Sequence, residues 1–205
     1  MEAANSQVLR AGAEAFGIHL TDPQVAQFAA YLALLQRWNE RVNLTRIIAP
    51  GEVVAKHFLD SLAIVPHLDG AKTLLDVGSG GGFPGAVAAI ACPSLVVTLV
   101  ESLQKKAAFL EALARDLRLP LVVEPKRLEQ LTKRPFDAAV SRATFAPIEW
   151  VARGAEWVAP GGVLIAMLGR ERPTLPTPAG FAPPEVLEYG LPVEADRALA
   201  IYRHG

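Results

Sequence analysis

Two carboxylates and the glycines between them are the residues of this chain whose types and spacing point to chemistry. The segment Leu74-Leu75-Asp76-Val77-Gly78-Ser79-Gly80-Gly81-Gly82-Phe83-Pro84-Gly85 is an apolar run that ends in an acid and enters a glycine-dense turn. Glycine permits positive φ and lets a ligand approach the backbone, and a following helix presents free N–H groups. Asp76 is placed at a strand end to accept hydrogen bonds from a cationic amine. Glu101 closes the next apolar run, where a carboxylate holds the two hydroxyls of a ribose. Acid, glycine turn and second acid in this order suit a nucleoside cofactor that carries an amino-acid moiety. S-adenosylmethionine is such a cofactor, and methyl transfer is the reaction it supports. The rival is an NAD-dependent dehydrogenase, because Gly80-x-Gly82-x-x-Gly85 satisfies the dinucleotide fingerprint and Glu101 follows about twenty residues on. In dehydrogenases, however, the fingerprint starts directly at the strand end, whereas here the strand ends in Asp-x-Gly-x-Gly.

The remaining motifs narrow the methyl acceptor. Methylating carbon 5 of a pyrimidine needs a cysteine nucleophile, and Cys92 sits at an apolar helix end before Pro93, a core position. Methylating an exocyclic adenine amine uses an Asn/Asp-Pro-Pro-aromatic turn, but the fourth strand continues here as Ser141-Arg142-Ala143-Thr144-Phe145. Both absences favour an acceptor with an available lone pair, such as guanine N7. Displacement by a lone pair needs alignment and desolvation but no general base, so no acid or base is assigned.

The elements that position these residues follow from apolar periodicity. Thr21-Asp22-Pro23 offers a helix cap, and Val25, Phe28, Ala29, Leu32, Leu35 and Trp38 recur at helical spacing to about residue 42. Beyond Pro50-Gly51, residues Val53, Val54, Phe58, Leu59, Leu62 and Val65 predict one further amphipathic helix. From residue 72 onward, short apolar runs at 73–77, 96–101, 121–124, 138–141 and 163–168 alternate with helix-length segments at 84–91, 103–118 and 147–158. A Pro-rich loop and two apolar stretches at 186–189 and 198–202, which suit an antiparallel edge hairpin, complete the chain. The expected fold is α/β, of the class I Rossmann-like methyltransferase type. A mostly parallel sheet flanked by helices fills residues 71–205, with an N-terminal helical extension over 1–70.

Bulk composition sets the surroundings. With 205 residues, 51% hydrophobic and 20% charged, the chain can bury a substantial core and lacks the signature of disorder. A single cysteine and four scattered histidines imply neither a disulfide framework nor a metal site. No apolar stretch approaches the ~20 residues that would span a bilayer, and the first residues lack a signal-peptide pattern, so a cytoplasmic protein is expected. Twenty Lys and Arg against 21 Asp and Glu give no global pull toward nucleic acid. Locally, Lys105, Lys106, Arg115, Arg118, Lys126, Arg127, Lys133 and Arg134 cluster, as a solvated helix face also does.

Five blocks together resemble the bacterial small-subunit rRNA guanine-N7 methyltransferases, the glucose-inhibited division protein B family. They are Val42-Asn43-Leu44-Thr45, His57-Phe58-Leu59-Asp60-Ser61, the turn from Asp76 to Gly85, Glu101-Ser102-Leu103-x-Lys105-Lys106, and Ser141-Arg142-Ala143, and the likeness covers residues 9–202. The resemblance implies methyl transfer from S-adenosylmethionine to N7 of a guanine in 16S rRNA, near the decoding centre. The partner would be the 16S rRNA or the small ribosomal subunit, and no membrane would be involved; the sequence leaves the oligomeric state open, with a monomer expected. It further implies that Gly78, Gly80 and Phe83 contact the cofactor with Asp76 and Glu101, that Leu128 and Glu129 border its adenine, and that Arg142 completes the site. Asn43, His57 and Asp60 would form the helical wall beside the methyl donor, although His57 and Asp60 at i,i+3 also suit a local helix pair. One departure stands out. The family shows a Lys-Gly pair after the fifth strand, where this chain has Leu168-Gly169, with Arg170 two residues on as the substitute cation at the substrate. A methyltransferase-fold RNA-binding or assembly protein without turnover is the alternative that Leu168 favours.

Overall fold

A computed structural model describes residues 1–68 and 70–205, with Glu194 and Ala195 as backbone alone. Its centre is a seven-stranded sheet in the order β3-β2-β1-β4-β5-β7-β6. The strands are β1 (Thr73–Val77), β2 (Val96–Val100), β3 (Leu121–Glu124), β4 (Phe136–Ser141), β5 (Val158–Leu168), β6 (Glu185–Leu191) and β7 (Glu194–Arg203). The first five pair in parallel, and β7 runs antiparallel to both β5 and β6. The expected hairpin therefore forms, but β7 is inserted inside the sheet and, of the hairpin's two strands, only β6 lies at an edge. Burial explains the difference. Ala198 to Tyr202 are all buried, the continuous apolar run of an interior strand, whereas β6 alternates exposed and half-buried residues and carries Glu185 and Glu188 at the rim.

Helices cover the two faces unequally. Leu74, Val97, Leu99, Ala138, Val140 and Ile165 pack beneath α5 (Gly85–Ala91) and α6 (Gln104–Leu117), and the N-terminal helices join that same core. The opposite face packs Leu75, Val77, Ala139, Leu164 and Ala166 against Trp150 and Val151 of α7 (Pro147–Ala155). That last helix stops short of residue 158 because the Phe136 N–H pairs with the Trp157 carbonyl at 2.8 Å, starting strand pairing earlier than the sequence indicates.

The N-terminal segment supplies α1 (Ala3–Ala15), whose bounds the sequence did not delimit, and α2 (Asp22–Asn39). As expected, Thr21 caps α2, in a capping box with Gln24. The helix ends at Asn39 because that side chain accepts the N–H groups of Leu44 and Thr45 at 2.8 and 3.0 Å, turning the chain. Gln24 donates to the carbonyls of Ile90 and Ala91, and Gln27 to that of Leu117, so α2 satisfies carbonyls at the ends of α5 and α6. The predicted helix after Pro50 is broken into α3 (Pro50–Val53), a π-helical stretch Val54–Leu59 and α4 (Asp60–Leu62). Such widened turns are frequent at functional sites, and this one carries Lys56 and His57 and leads into Asp60. Among the described residues, no helix is long and apolar enough to cross a membrane.

Candidate cofactor and acceptor site

A cavity of about 830 Å³ opens beyond the carboxyl ends of β1, β2 and β4, where ligands sit in open α/β sheets. Its floor is the glycine turn. Gly78 (φ 74°) and Gly80 (φ 55°) both line it and occupy the left-handed region that glycine tolerates. The Gly78 and Ser79 N–H groups bond the Val100 carbonyl at 2.8 and 3.2 Å, and the Thr144 hydroxyl donates to the Gly78 carbonyl at 3.1 Å.

The rest of the literal dinucleotide fingerprint serves packing instead. A Cβ on Gly82 would lie 2.5 Å from the Tyr31 hydroxyl, and one on Gly85 would lie 2.6 Å from Leu99 and 2.7 Å from Asp76. Moreover, the first N–H of α5, on Gly85, is taken by Asp76 Oδ2 at 2.9 Å. In dinucleotide folds that helix start faces the pyrophosphate, whereas here an acid occupies it, and the dehydrogenase reading loses its ground.

Asp76 lies deeper than its strand-end position implies: it is fully buried beneath the turn and is not among the residues that line the cavity. Its Oδ1 is buried with no hydrogen-bond partner, and burial pushes its pKa up to about 7 despite the Gly85 hydrogen bond. A cation in front of the turn would favour the ionised form of this acid, whereas a phosphate there would oppose it. Glu101 does line the cavity: Oε2 accepts the Gly80 N–H at 3.0 Å and Oε1 the Leu103 N–H at 2.8 Å. Each oxygen keeps one acceptor site, which suits a vicinal diol. Leu128 and Glu129 stand in the cavity wall on the 3-10 turn Leu128–Gln130, with Glu129 paired to Arg153. These residues fit a cationic nucleoside cofactor.

The opposite wall is an aromatic and guanidinium assembly. His57 stacks on Phe83 at 4.5 Å, Phe83 on Tyr31 at 5.4 Å, and the Arg142 guanidinium lies 5.1 Å from the Phe83 ring centre. Arg142 Nη1 donates to Asp60 Oδ2 at 3.0 Å and to the Lys56 carbonyl at 3.3 Å. Its Nη2 lies 3.2 Å from His57 Nδ1. A guanidinium can only donate, so Nδ1 accepts, and the proton sits on Nε2, bonded to the Thr45 hydroxyl at 2.8 Å. Burial, reinforced by Arg142, lowers the His57 pKa to about 3, so the ring is neutral at physiological pH.

Asp60, 1% exposed, is the centre of this wall. Oδ1 accepts from Tyr189 at 2.8 Å and Arg197 Nε at 2.9 Å, and Oδ2 accepts from Arg197 Nη2 at 2.8 Å and from Arg142. His57 and Asp60 are thus joined through Arg142, in place of the local helix pair that their spacing also allowed. Tyr189 and Arg197 escaped the sequence reading because they lie on strands read only as an apolar hairpin. The signal for them was an acid at position 60 among apolar helix positions, which demands a distant cation.

Two residues expected on the substrate side lie away from this cavity. Asn43 is exposed and outside the cavity, and Leu44 and Thr45 line it instead, held by Asn39. Arg170 also lies outside it, with 86% of its side chain exposed and an ion pair to Asp196 at 3.2 Å. Leu168 is buried in the sheet's second core, paired with Ala198, and the cation beside that pair is Arg197.

A family model described as rRNA small subunit methyltransferase G (GidB) matches residues 24–174. A protein from Anaeromyxobacter dehalogenans (strain 2CP-1), named ribosomal RNA small subunit methyltransferase G, is 44% identical over 175 residues, covering 83% of this chain and 81% of the relative. A protein of the same name from Anaeromyxobacter sp. (strain Fw109-5) is 40% identical over 213 residues, covering 99% of both chains. Among solved structures, an O-methyltransferase from Bacillus cereus in complex with SAH superposes with a TM-score of 0.59 at 15% identity, covering 85% of this chain and 90% of that one. That likeness shows the fold alone.

Proposed function

The chain belongs to the rRNA small subunit methyltransferase G family, and from that premise we propose that it transfers a methyl group from S-adenosylmethionine to N7 of a guanine in 16S rRNA, near the decoding centre. The observation that carries the cofactor assignment is the turn itself: Gly78 and Gly80 line the cavity, an acid lies behind it, and the Glu101 oxygens stand beside it. When bound, S-adenosylmethionine supplies an electrophilic methyl group on a sulfonium. Glu101 holds the ribose hydroxyls, Leu128 borders the adenine, and the glycine backbone admits the amino-acid end. Residues 71–205 carry these groups, and the extension over 1–70 contributes Lys56, His57 and Asp60.

The chain's own residues need do no acid–base chemistry. Both nitrogens of His57 are committed, one to Arg142 and one to Thr45, so the ring acts as a rigid, neutral wall. Guanine N7 brings its own lone pair, and positioning by Arg142, Phe83 and His57 is what the displacement requires. The cavity walls also carry six Lys and Arg residues against three carboxylates, a local excess that suits RNA in a chain of net charge −1. We place the reaction in the cytoplasm, on free 16S rRNA or the small subunit.

S-adenosylmethionine or its demethylated product is expected to raise the melting temperature of the purified protein. Saturation at 100 times Kd contributes about 2.7 kcal/mol, on the order of 5–10 °C for a chain of this length. NAD at the same concentration is expected to give no shift. Stabilisation by NAD alone would overturn the cofactor assignment.

A further inference from the structure

Arg197 and Arg142 share one buried carboxylate but present different ends to the cavity. Arg142 spends Nη1 on Asp60 and the Lys56 carbonyl and one N–H of Nη2 on His57, so most of its fork is consumed by the wall. Arg197 meets Asp60 side-on, through Nε and Nη2. No described residue accepts from its Nη1, which leaves two N–H groups there and one more on Nη2, on a residue that lines the cavity. Asp60 accepts four hydrogen bonds, two on each oxygen, and has no capacity left for a ligand.

Asp60 is therefore a positioning residue, and the outer fork of Arg197 is the free cationic donor that it fixes in place. We propose that Arg197 binds a phosphate oxygen of the RNA strand that carries the methyl acceptor, anchoring the nucleotide against the wall formed by Arg142, His57 and Phe83. The inference rests on the proposed action on rRNA. A planar fork with unspent parallel N–H groups matches a phosphate, and its other edge is locked to a carboxylate, so binding loses little side-chain freedom. The position also explains how the chain works with Leu168 buried: the cation stands on β7, the neighbouring strand, instead of at the end of β5. Arg170, exposed and paired with Asp196, is not in the cavity.

The test is the salt dependence of 16S rRNA binding, measured with S-adenosylhomocysteine present. Removing one phosphate contact lowers the slope of log K against log salt by about 0.7 to 0.9. Arg197→Gln is expected to show that loss, and Arg197→Lys to retain the slope while methylating more slowly, because a point charge cannot hold Asp60 side-on. Tyr189→Phe, which removes a hydrogen bond to Asp60 but no charge, controls for a looser wall and is expected to keep the wild-type slope. An unchanged slope in Arg197→Gln would overturn the proposal, as would an equal loss in Tyr189→Phe. Failure of the wild-type protein to methylate the RNA at all would instead overturn the function on which the proposal rests.

Discussion

Gly78→Val is expected to abolish the melting shift produced by S-adenosylmethionine and to lower methyl transfer at least a hundredfold. Two independent features set the size of the effect. The residue has φ 74°, where a β-branched side chain is strained, by an order of 1–3 kcal/mol. A Cβ there would also lie 1.9 Å from Thr144 Oγ1, so Thr144 must move and its hydrogen bond to the Gly78 carbonyl is lost. Both changes fall on the cavity floor. Gly80→Ala provides the graded comparison, since its Cβ would meet nothing nearer than 3.9 Å while the φ of 55° still penalises it. It is expected to weaken the shift without removing it. A full shift in Gly78→Val, measured by thermal denaturation with saturating cofactor, would show that the cofactor does not use this turn.

Asp60→Ala is the substitution with the largest expected cost in stability. It leaves two guanidinium groups, with side chains 14% and 17% exposed, facing each other without their shared counter-charge. Removing one partner of a buried ion pair costs about 3–5 kcal/mol, because the charge left behind is uncompensated. For a chain of this length that corresponds to a fall in melting temperature on the order of 10 °C. Urea unfolding checks the value directly. A loss below about 1 kcal/mol would place the interaction among exposed ion pairs and would show that the arginines regain water.

The division between what the sequence announces and what it hides has a physical basis. Asp76, Gly78, Gly80 and Glu101 lie within one strand-turn-helix-strand stretch, so their chemistry and spacing are local. Strand limits at Thr73–Val77 and Leu121–Glu124 were equally legible: the first is a buried parallel strand that reads as a continuous apolar run, and the second, at the sheet edge and not buried, is a short apolar run set between Pro120 and Pro125. The guanidinium wall is not local. Asp60 meets Arg142 and Arg197 across separations of 82 and 137 residues, and only the insertion of β7 beside β5 brings Arg197 to the cavity. The π-helical stretch was likewise invisible, since it preserves the apolar spacing of an ordinary helix while rotating the positions beyond it. Arg170 attracted attention by proximity in the sequence to Leu168. In a sheet, the neighbour that matters is the residue across the strand pair.

Methylation of 16S rRNA by the purified protein, with S-adenosylmethionine as methyl donor, tests the central claim most directly. Cleavage of the product by borohydride and aniline reads N7-methylguanosine at nucleotide resolution. The expected result is one strong cleavage site at a guanine, unaffected by Cys92→Ala because that side chain lies outside the cavity. Methylcytidine or methyladenosine in place of that site would contradict the acceptor assignment. Cofactor binding with no methyl transferred to any form of the RNA would contradict the enzyme itself, leaving an RNA-binding protein on a methyltransferase fold.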